Sequence, residues 1–240
     1  SNIVLDELDR ELEERGHRFV RYADDCNIYV RSERAGQRVM ESLVRYISKR
    51  LRLKVNPTKS AVARPEERHF LGFRLRREPL DGSVEVLLSK RSRDRIYKKV
   101  QQMTPKRWGQ KLSRCIRELN AYLIGWVGFF RICTESETRT LRAIDAHIRR
   151  RLRAILLRQW KRKRTIVKRL IRLGVKRKTA WRQVYKGRQS LWALSHNVAV
   201  EQGLRNAYFA ERGLTSVFER WTAWNQSIGI ASAQLTLPWR

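Results

Sequence analysis

Phe19-Val20-Arg21-Tyr22-Ala23-Asp24-Asp25-Cys26-Asn27-Ile28-Tyr29-Val30 is the stretch on which the fold turns. Two short runs of β-branched and aromatic residues flank Tyr22-Ala23-Asp24-Asp25, which predicts strand, tight turn, strand, with the carboxylates at the tip. Two carboxylates this close disfavour each other's ionised form unless a cation sits between them, and hard oxygen donors suit Mg²⁺. The chemistry that uses such a pair is metal-assisted phosphoryl transfer, in which paired ions clamp the attacking and leaving oxygens. Asp is also a common turn residue, so the four residues alone fit equally well a hairpin that merely turns.

The rest of the chain bears on that choice through its charge. The 240 residues carry a formal net charge of +31, and a hydrophobic content of 42% is enough to bury a core. A disordered chain is excluded, and polyanions are the natural partners, nucleic acid before anionic membrane. The charge is uneven. Residues 1–90 hold 19 basic and 15 acidic side chains (+4), whereas residues 91–240 hold 35 and 8 (+27). No acidic residue occurs between Asp145 and Glu201, and Arg outnumbers Lys 40 to 14, which suits bidentate phosphate contacts. Cys26, Cys115 and Cys133 are odd in number and form no CxxC pair. They suggest neither a disulfide framework nor a zinc site, and fit a reducing compartment. His17, His69, His147 and His196 are dispersed and form no ligand pattern. No run of about 18 apolar residues and no signal-peptide layout is present. The expected setting is therefore soluble and intracellular, a bacterial cytoplasm or nucleoid or an organelle, with no membrane partner.

Outward from the hairpin, Ser1-Asn2 is expected to cap a helix with Val4, Leu5, Leu8 and Leu12 on one face and Gly16 as its stop. Ser32 is expected to cap a second helix through Arg50, with Ala35, Val39, Leu43, Ile47 and Leu51 four apart. Leu51, Leu53 and Val55 alternate as a short strand before the turn Asn56-Pro57. Phe70–Leu75 and Val84–Leu87 are two further strands, joined through Asp81-Gly82. Helix, hairpin, helix and strands make an α+β layer.

After Ser89 the periodicity is helical throughout. Ile96, Val100 and Met103 begin one helix, and Leu112, Ile116, Leu119, Leu123, Trp126 and Phe130 mark a longer one. Thr134 and Glu137 have capping-box spacing ahead of a third, whose inner stripe is Leu141, Ile144, Ile148, Leu152, Ile155 and Gln159. Arg149, Arg150, Arg151 and Arg153 then fall on its outer face, and Lys161, Arg162, Lys163 and Arg164 at its end. Cations near a helix C-terminus suit the macrodipole, and a charge run is commonly a solvated face. The lack of compensating acids favours a phosphate-binding surface. Shorter helices broken by Gly174, Gly187 and Gly213 carry Trp181, Tyr185 and Trp192. These rings could stack on unpaired bases, but their apolar neighbours at helical spacing favour the core.

Tyr22-Ala23-Asp24-Asp25 resembles the palm signature of reverse transcriptases, and the following segments keep the order of that family's later blocks. Leu53-Lys54-Val55-Asn56-Pro57-Thr58-Lys59 resembles the block whose lysine lies by the nucleotide phosphates, and Phe70-Leu71-Gly72-Phe73 the primer-grip hairpin. Leu119–Phe130 resembles the maturase (X or thumb) domain of group II intron-encoded proteins, a likeness continued by Leu173-Gly174-Val175, Trp192 and Gly213-Leu214. The resemblance implies part of a palm over 1–88, a helical thumb over 89–225 and a tail over 226–240. It implies Asp24 and Asp25 as Mg²⁺ ligands, with Tyr22 and Ala23 near the incoming dNTP. Lys59 would then act on the departing pyrophosphate, and Leu71 and Gly72 would lie at the primer. The implied partners are group II intron RNA and an RNA template with a DNA primer. In the family another metal-binding aspartate precedes the segment that begins here. An N-terminal reverse-transcriptase portion is therefore expected outside this chain, which alone is expected to polymerise poorly. Two alternatives stay open: another bacterial reverse transcriptase, of retron or CRISPR-associated type, and a non-catalytic RNA-binding splicing factor that keeps the palm as scaffold.

Overall fold

The computed structural model describes residues 2–79, 82–105, 107–187 and 190–228. The cap expected of Ser1, Asp81 of the expected turn and the tail after Ile228 lie outside them. The chain forms two compact units, Ser1–Arg76 and Arg77–Arg240.

The first unit opens with α1 (Asn2–Glu14), whose Leu8 and Leu12 are buried. Gly16, at φ 69°, ends it as expected, with His17 N–H donating to Leu12 O at 2.9 Å and Gly16 N–H to Glu13 O at 2.8 Å. Those two bonds are a Schellman motif, which needs a residue that tolerates the left-handed region. Strand β1 (Arg18–Tyr22) then pairs antiparallel with β2 (Asp25–Tyr29), Tyr22 opposite Asp25. Helix α2 (Glu33–Lys49) starts where Ser32 Oγ accepts from Ala35 N–H at 3.2 Å, the predicted cap. Leu8, Leu12, Leu43 and Leu51 form the core, with Phe19, Cys26 and Ile28 of the hairpin packed on it.

Residues 51–55 do not form the strand their alternation suggests. Leu53 N–H returns to Ile47 O at 3.1 Å and Arg52 takes φ 54°, so the segment is consumed in leaving α2. Alternation is a pattern that a strand requires, but a ladder must also be made. The next predicted strand also starts late. A short 3₁₀ turn (Pro65–Glu67) leads to β3 (Phe73–Arg77), and Phe70-Leu71-Gly72 is a turn closed onto Phe73. The second two-stranded sheet consists of β3 and β4 (Val84–Leu88).

The second unit is helical from Lys90: α3 (Lys90–Met103), α4 (Leu112–Phe130), α5 (Thr138–Gln159), α6 (Lys163–Arg172) and α7 (Arg177–Tyr185). They are followed by α8 (Leu191–Leu194), α9 (Val198–Gly203), α10 (Asn206–Ala210) and α11 (Val217–Ile228). Ile96, Leu119, Leu123, Leu141, Ile144, Ile148 and Leu152 are almost completely buried, so the stripes expected on α3, α4 and α5 do face the core. Gln159 is the exception: it is exposed and its amide donates to Gln110 O at 2.8 Å.

The capping box predicted for Thr134 and Glu137 is not made. Thr134 Oγ1 faces Val86 O at 3.3 Å, and the buried Glu137 carboxylate accepts from Leu88 N–H at 3.1 Å. A strand 49 residues upstream has claimed the side chain that sequence spacing assigned to the helix. Two other polar side chains fix the approach to α11. Asn120 donates to Gly213 O at 2.6 Å and accepts from Thr215 N–H at 2.9 Å. The buried Asp145 accepts from Ser216 Oγ at 2.7 Å, Val217 N–H at 2.8 Å and Phe218 N–H at 3.0 Å. A carboxylate at a helix N-terminus satisfies donors that the helix cannot and complements its dipole.

Candidate functional site

In the first unit the carboxylates stand where the sequence predicts, at the tip of a two-residue hairpin loop, Ala23-Asp24. Tyr22, Asp24 and Asp25 are exposed, Tyr22 by 64%. Ala23 adopts φ 54°, the left-handed value that lets a two-residue loop match the twist of its strands. The pleat puts Phe19, Cys26 and Ile28 toward the core, so Tyr22 and Asp25, a directly opposed pair, lie on the other face.

Arg21 is the residue that sequence reasoning missed. Its Nε donates to Asp9 Oδ1 at 2.7 Å, its Nη2 to Asp9 Oδ2, and its Nη1 to Ala23 O at 2.8 Å. One planar guanidinium thus ties the carboxylate loop to α1. The hydrogen bonds it donates to Asp9 hold it more firmly protonated than an ordinary arginine. A signal was available, because Arg21 occupies a strand position on the core-facing side, where a charge needs a partner.

Lys59 lies on a separate exposed turn, built by Asn56 Oδ1 accepting from Thr58 N–H at 3.0 Å and Thr58 Oγ1 at 2.7 Å. Arg68 braces it by donating to Lys59 O at 2.7 Å. Leu71 and Gly72 form the loop between Phe70 and Phe73, whose N–H and C=O groups exchange two 2.9 Å bonds. Both loop residues are left-handed, at φ 51° and 86°, which defines a type I′ turn with glycine in its second position. The bulky, exposed Leu71 is strained there.

Asp24 and Asp25 are hard oxygen donors of the class that Mg²⁺ takes, commonly one or two carboxylates completed by substrate phosphates. Among the described residues no group of three or more His, Cys, Asp or Glu side chains is placed to hold a metal. The Cys26 thiol beside the acids is pushed up to about 11, first by burial and then by Asp9, so it is no nucleophile. Burial likewise pushes Cys115 up to about 12 and raises Cys133.

In the second unit the predicted basic residues divide. Lys161, Arg162 and Arg164 are exposed and Lys163 half-buried, but Arg149, Arg150 and Arg151 are half-buried and Arg153 is buried. The outer face expected of the α5 arginines is therefore wrong. Arg153 Nε donates to Leu204 O at 3.0 Å and its Nη1 pairs with Glu201 Oε1, also at 3.0 Å. Burial lowers its guanidinium from the usual value while Glu201 opposes that. Arg151 closes the end of α3 by donating to Thr104 Oγ1 at 2.9 Å and to Thr104 O. Arg150 stacks over Trp192, 4.1 Å from the ring centroid. A cavity of about 750 Å³ opens beside them, lined by His147, Arg149, Arg150, His196, Glu201 and Arg205 among others. His196 Nδ1 lies 2.8 Å from Glu201 Oε1. Burial first, then Arg151 and Arg150, lower the pKa of His147 below its ordinary 6.5.

The aromatics expected in the core are part-exposed, Trp181 by 38%, Tyr185 by 44% and Trp192 by 38%. Trp181 and Tyr185 stack on each other, with centroids 5.2 Å apart and planes at 21°.

Comparison with known families agrees with the two units. A family described as "Reverse transcriptase (RNA-dependent DNA polymerase)" matches residues 1–75, and one described as "Group II intron, maturase-specific domain" matches residues 93–174. Palm hairpin and helical domain are thus those of a reverse transcriptase that carries a maturase domain. The chain belongs to the group II intron reverse transcriptase/maturases, a family whose general activity is RNA-directed DNA synthesis. No curated protein matches it significantly. No helix among the described residues is long and apolar enough to cross a membrane.

Proposed function

We propose that, within the complete protein, residues 1–88 act as the C-terminal part of a polymerase palm and residues 89–225 as a thumb that binds intron RNA and assists splicing and mobility. The observation that carries this is the exposed, braced Asp24-Asp25 turn, which joins paired hard donors to a rigid mount. Asp24 and Asp25 would hold Mg²⁺, which when bound supplies electrostatic stabilisation for phosphoryl transfer. Tyr22 and Ala23 border the position of the incoming dNTP. Lys59 offers a compact cation for the phosphates, and the turn at Leu71-Gly72 lets the primer backbone approach closely. Arg21, through Ala23 O, keeps the turn in register without touching substrate. On the thumb, Lys161, Arg162, Lys163 and Arg164 contribute phosphate contacts, joined by the parts of Arg149 and Arg150 that face the cavity.

The test is Asp24→Asn in the complete protein, read by cDNA synthesis and by intron splicing in parallel. Lost synthesis with retained splicing supports the two-function reading. A complete, unsubstituted protein that makes no cDNA supports a scaffold palm instead. For the thumb, this chain is bound to folded group II intron RNA against an equally long unrelated structured RNA, at moderate and high salt. Preference for the intron that survives salt supports a specific RNA module. Equal competition and equal loss reduce it to an electrostatic clamp.

A further inference from the structure

The stacked pair on α7 has no part in the polymerase turn or in the cavity, and it lies beyond the maturase-specific match, which ends at residue 174. Trp181 and Tyr185 are one helical turn apart, so they form a continuous aromatic strip along one face of a nine-residue helix. That helix buries Ala180 and Val184 on its other side, so its core-facing role is already filled by smaller residues. Holding two large rings 38% and 44% exposed is unfavourable unless something covers them.

The surroundings of the strip define what that is. Arg177 flanks it on one side and Lys178 and Arg182 on the other by helical periodicity, and all three are exposed, as is Lys186 just beyond the helix. Lys163 of α6 sits over Tyr185 with Nζ 5.3 Å from the centroid. The strip lies within the stretch between Asp145 and Glu201 that holds no acidic residue, so nothing acidic nearby in the chain repels a phosphate. Flat π-faces between cations fit a polyanion with exposed rings, which is single-stranded nucleic acid; in a duplex the bases are already stacked and hidden.

We propose that Trp181 and Tyr185 are a stacking platform for unpaired RNA bases, with Arg177, Lys178 and Arg182 holding the flanking phosphates. The platform rests on the chain being an RNA-binding protein, but not on which RNA the rest of the thumb selects.

The experiment measures binding of the 240-residue chain to a 12-nucleotide oligoadenylate and to an RNA duplex of the same length, both fluorescently labelled, at fixed and at varied salt. Trp181→Ala is expected to weaken binding of the single strand by about tenfold, leave the duplex within about twofold, and keep the salt slope. Trp181→Phe keeps a ring and should retain most of the affinity. Trp181→Leu, which fills the space without a π-face, should fail as the alanine does, and it serves if the alanine variant does not fold. Arg182→Gln should instead weaken both RNAs and lower the salt slope. Equal losses on single strand and duplex with Trp181→Leu, or none on either, would overturn the platform. Loss of intron preference in the competition described above, with this strand selectivity intact, would sink the maturase-specific reading and leave the platform standing.

Discussion

The two units use charge in opposite ways. In the N-terminal unit the acids expected to matter stand in water at a hairpin tip, and a single half-buried pair, Arg21–Asp9, holds them in place. In the helical unit several arginines that look like surface charge are structural instead: Arg151 closes α3 and Arg153 is buried against Glu201. Net charge therefore marks the helical unit as the one suited to a polyanion, while the side chains exposed for such contact are fewer than the count suggests. Among the described residues, exposed cations gather at the end of α5, on α6 and on α7, and a further set, Lys90, Arg91, Arg95, Lys98 and Lys99, lies on α3.

This contrast can be broken at its structural roots first. Leu12→Ala removes a fully buried side chain from the small four-leucine core and is expected to cost about 3 kcal/mol, enough to abolish much of that unit's stability. An unchanged helical transition in calorimetry or denaturant unfolding would show that the two units melt separately, and a joint shift that they do not. Asp145→Ala is the mirror experiment. It leaves Ser216, Val217 and Phe218 donors without their acceptor and should cost the helical unit about 2–3 kcal/mol, seen as early amide exchange in α11 with the hairpin unaffected.

A smaller effect comes from pH. The folded state lowers the pKa of His147 below 6.5, so above that value the imidazole is neutral in folded and unfolded chains alike and contributes no pH dependence. Below it the unfolded chain takes up a proton that the folded chain resists, and stability falls as pH drops, until the folded value is passed. Thermal midpoints of the helical unit should thus decline from pH 7.5 to 5.5, and His147→Gln should flatten part of that decline. Smallest is Leu71→Gly, which relieves a left-handed leucine worth about 1 kcal/mol of strain but loses some of that to backbone entropy. A rise of a degree or two in the first unit's midpoint would bear it out, and a fall would mean that Leu71 makes a contact worth more than the strain.

Local chemistry was legible in the sequence and long-range spending of side chains was not. Ser32 and Gly16 end their helices through neighbours within five residues, and both are where pattern puts them. The hairpin was readable because period-2 runs and a two-residue turn are also local. Glu137 had capping-box spacing, but Leu88, 49 residues away, took its carboxylate. Arg153 had an outward register only until Glu201, 48 residues later, drew it in. The stripe on α7 misled for another reason: Trp181 and Tyr185 share helical spacing with apolar neighbours, yet the core was already closed by Ala180 and Val184.

The three thiols have a practical consequence. Burial pushes Cys26 up to about 11 and Cys115 up to about 12 and raises Cys133 as well, so all three are held as thiols rather than thiolates near neutral pH. The natural thiols, two buried and one half-buried, are therefore expected to be poor targets for maleimide reagents. A cysteine introduced at the exposed hairpin loop, as Ala23→Cys, is expected to be the dominant labelling position, and a dye there could follow the Asp24-Asp25 turn without first removing any natural sulfur.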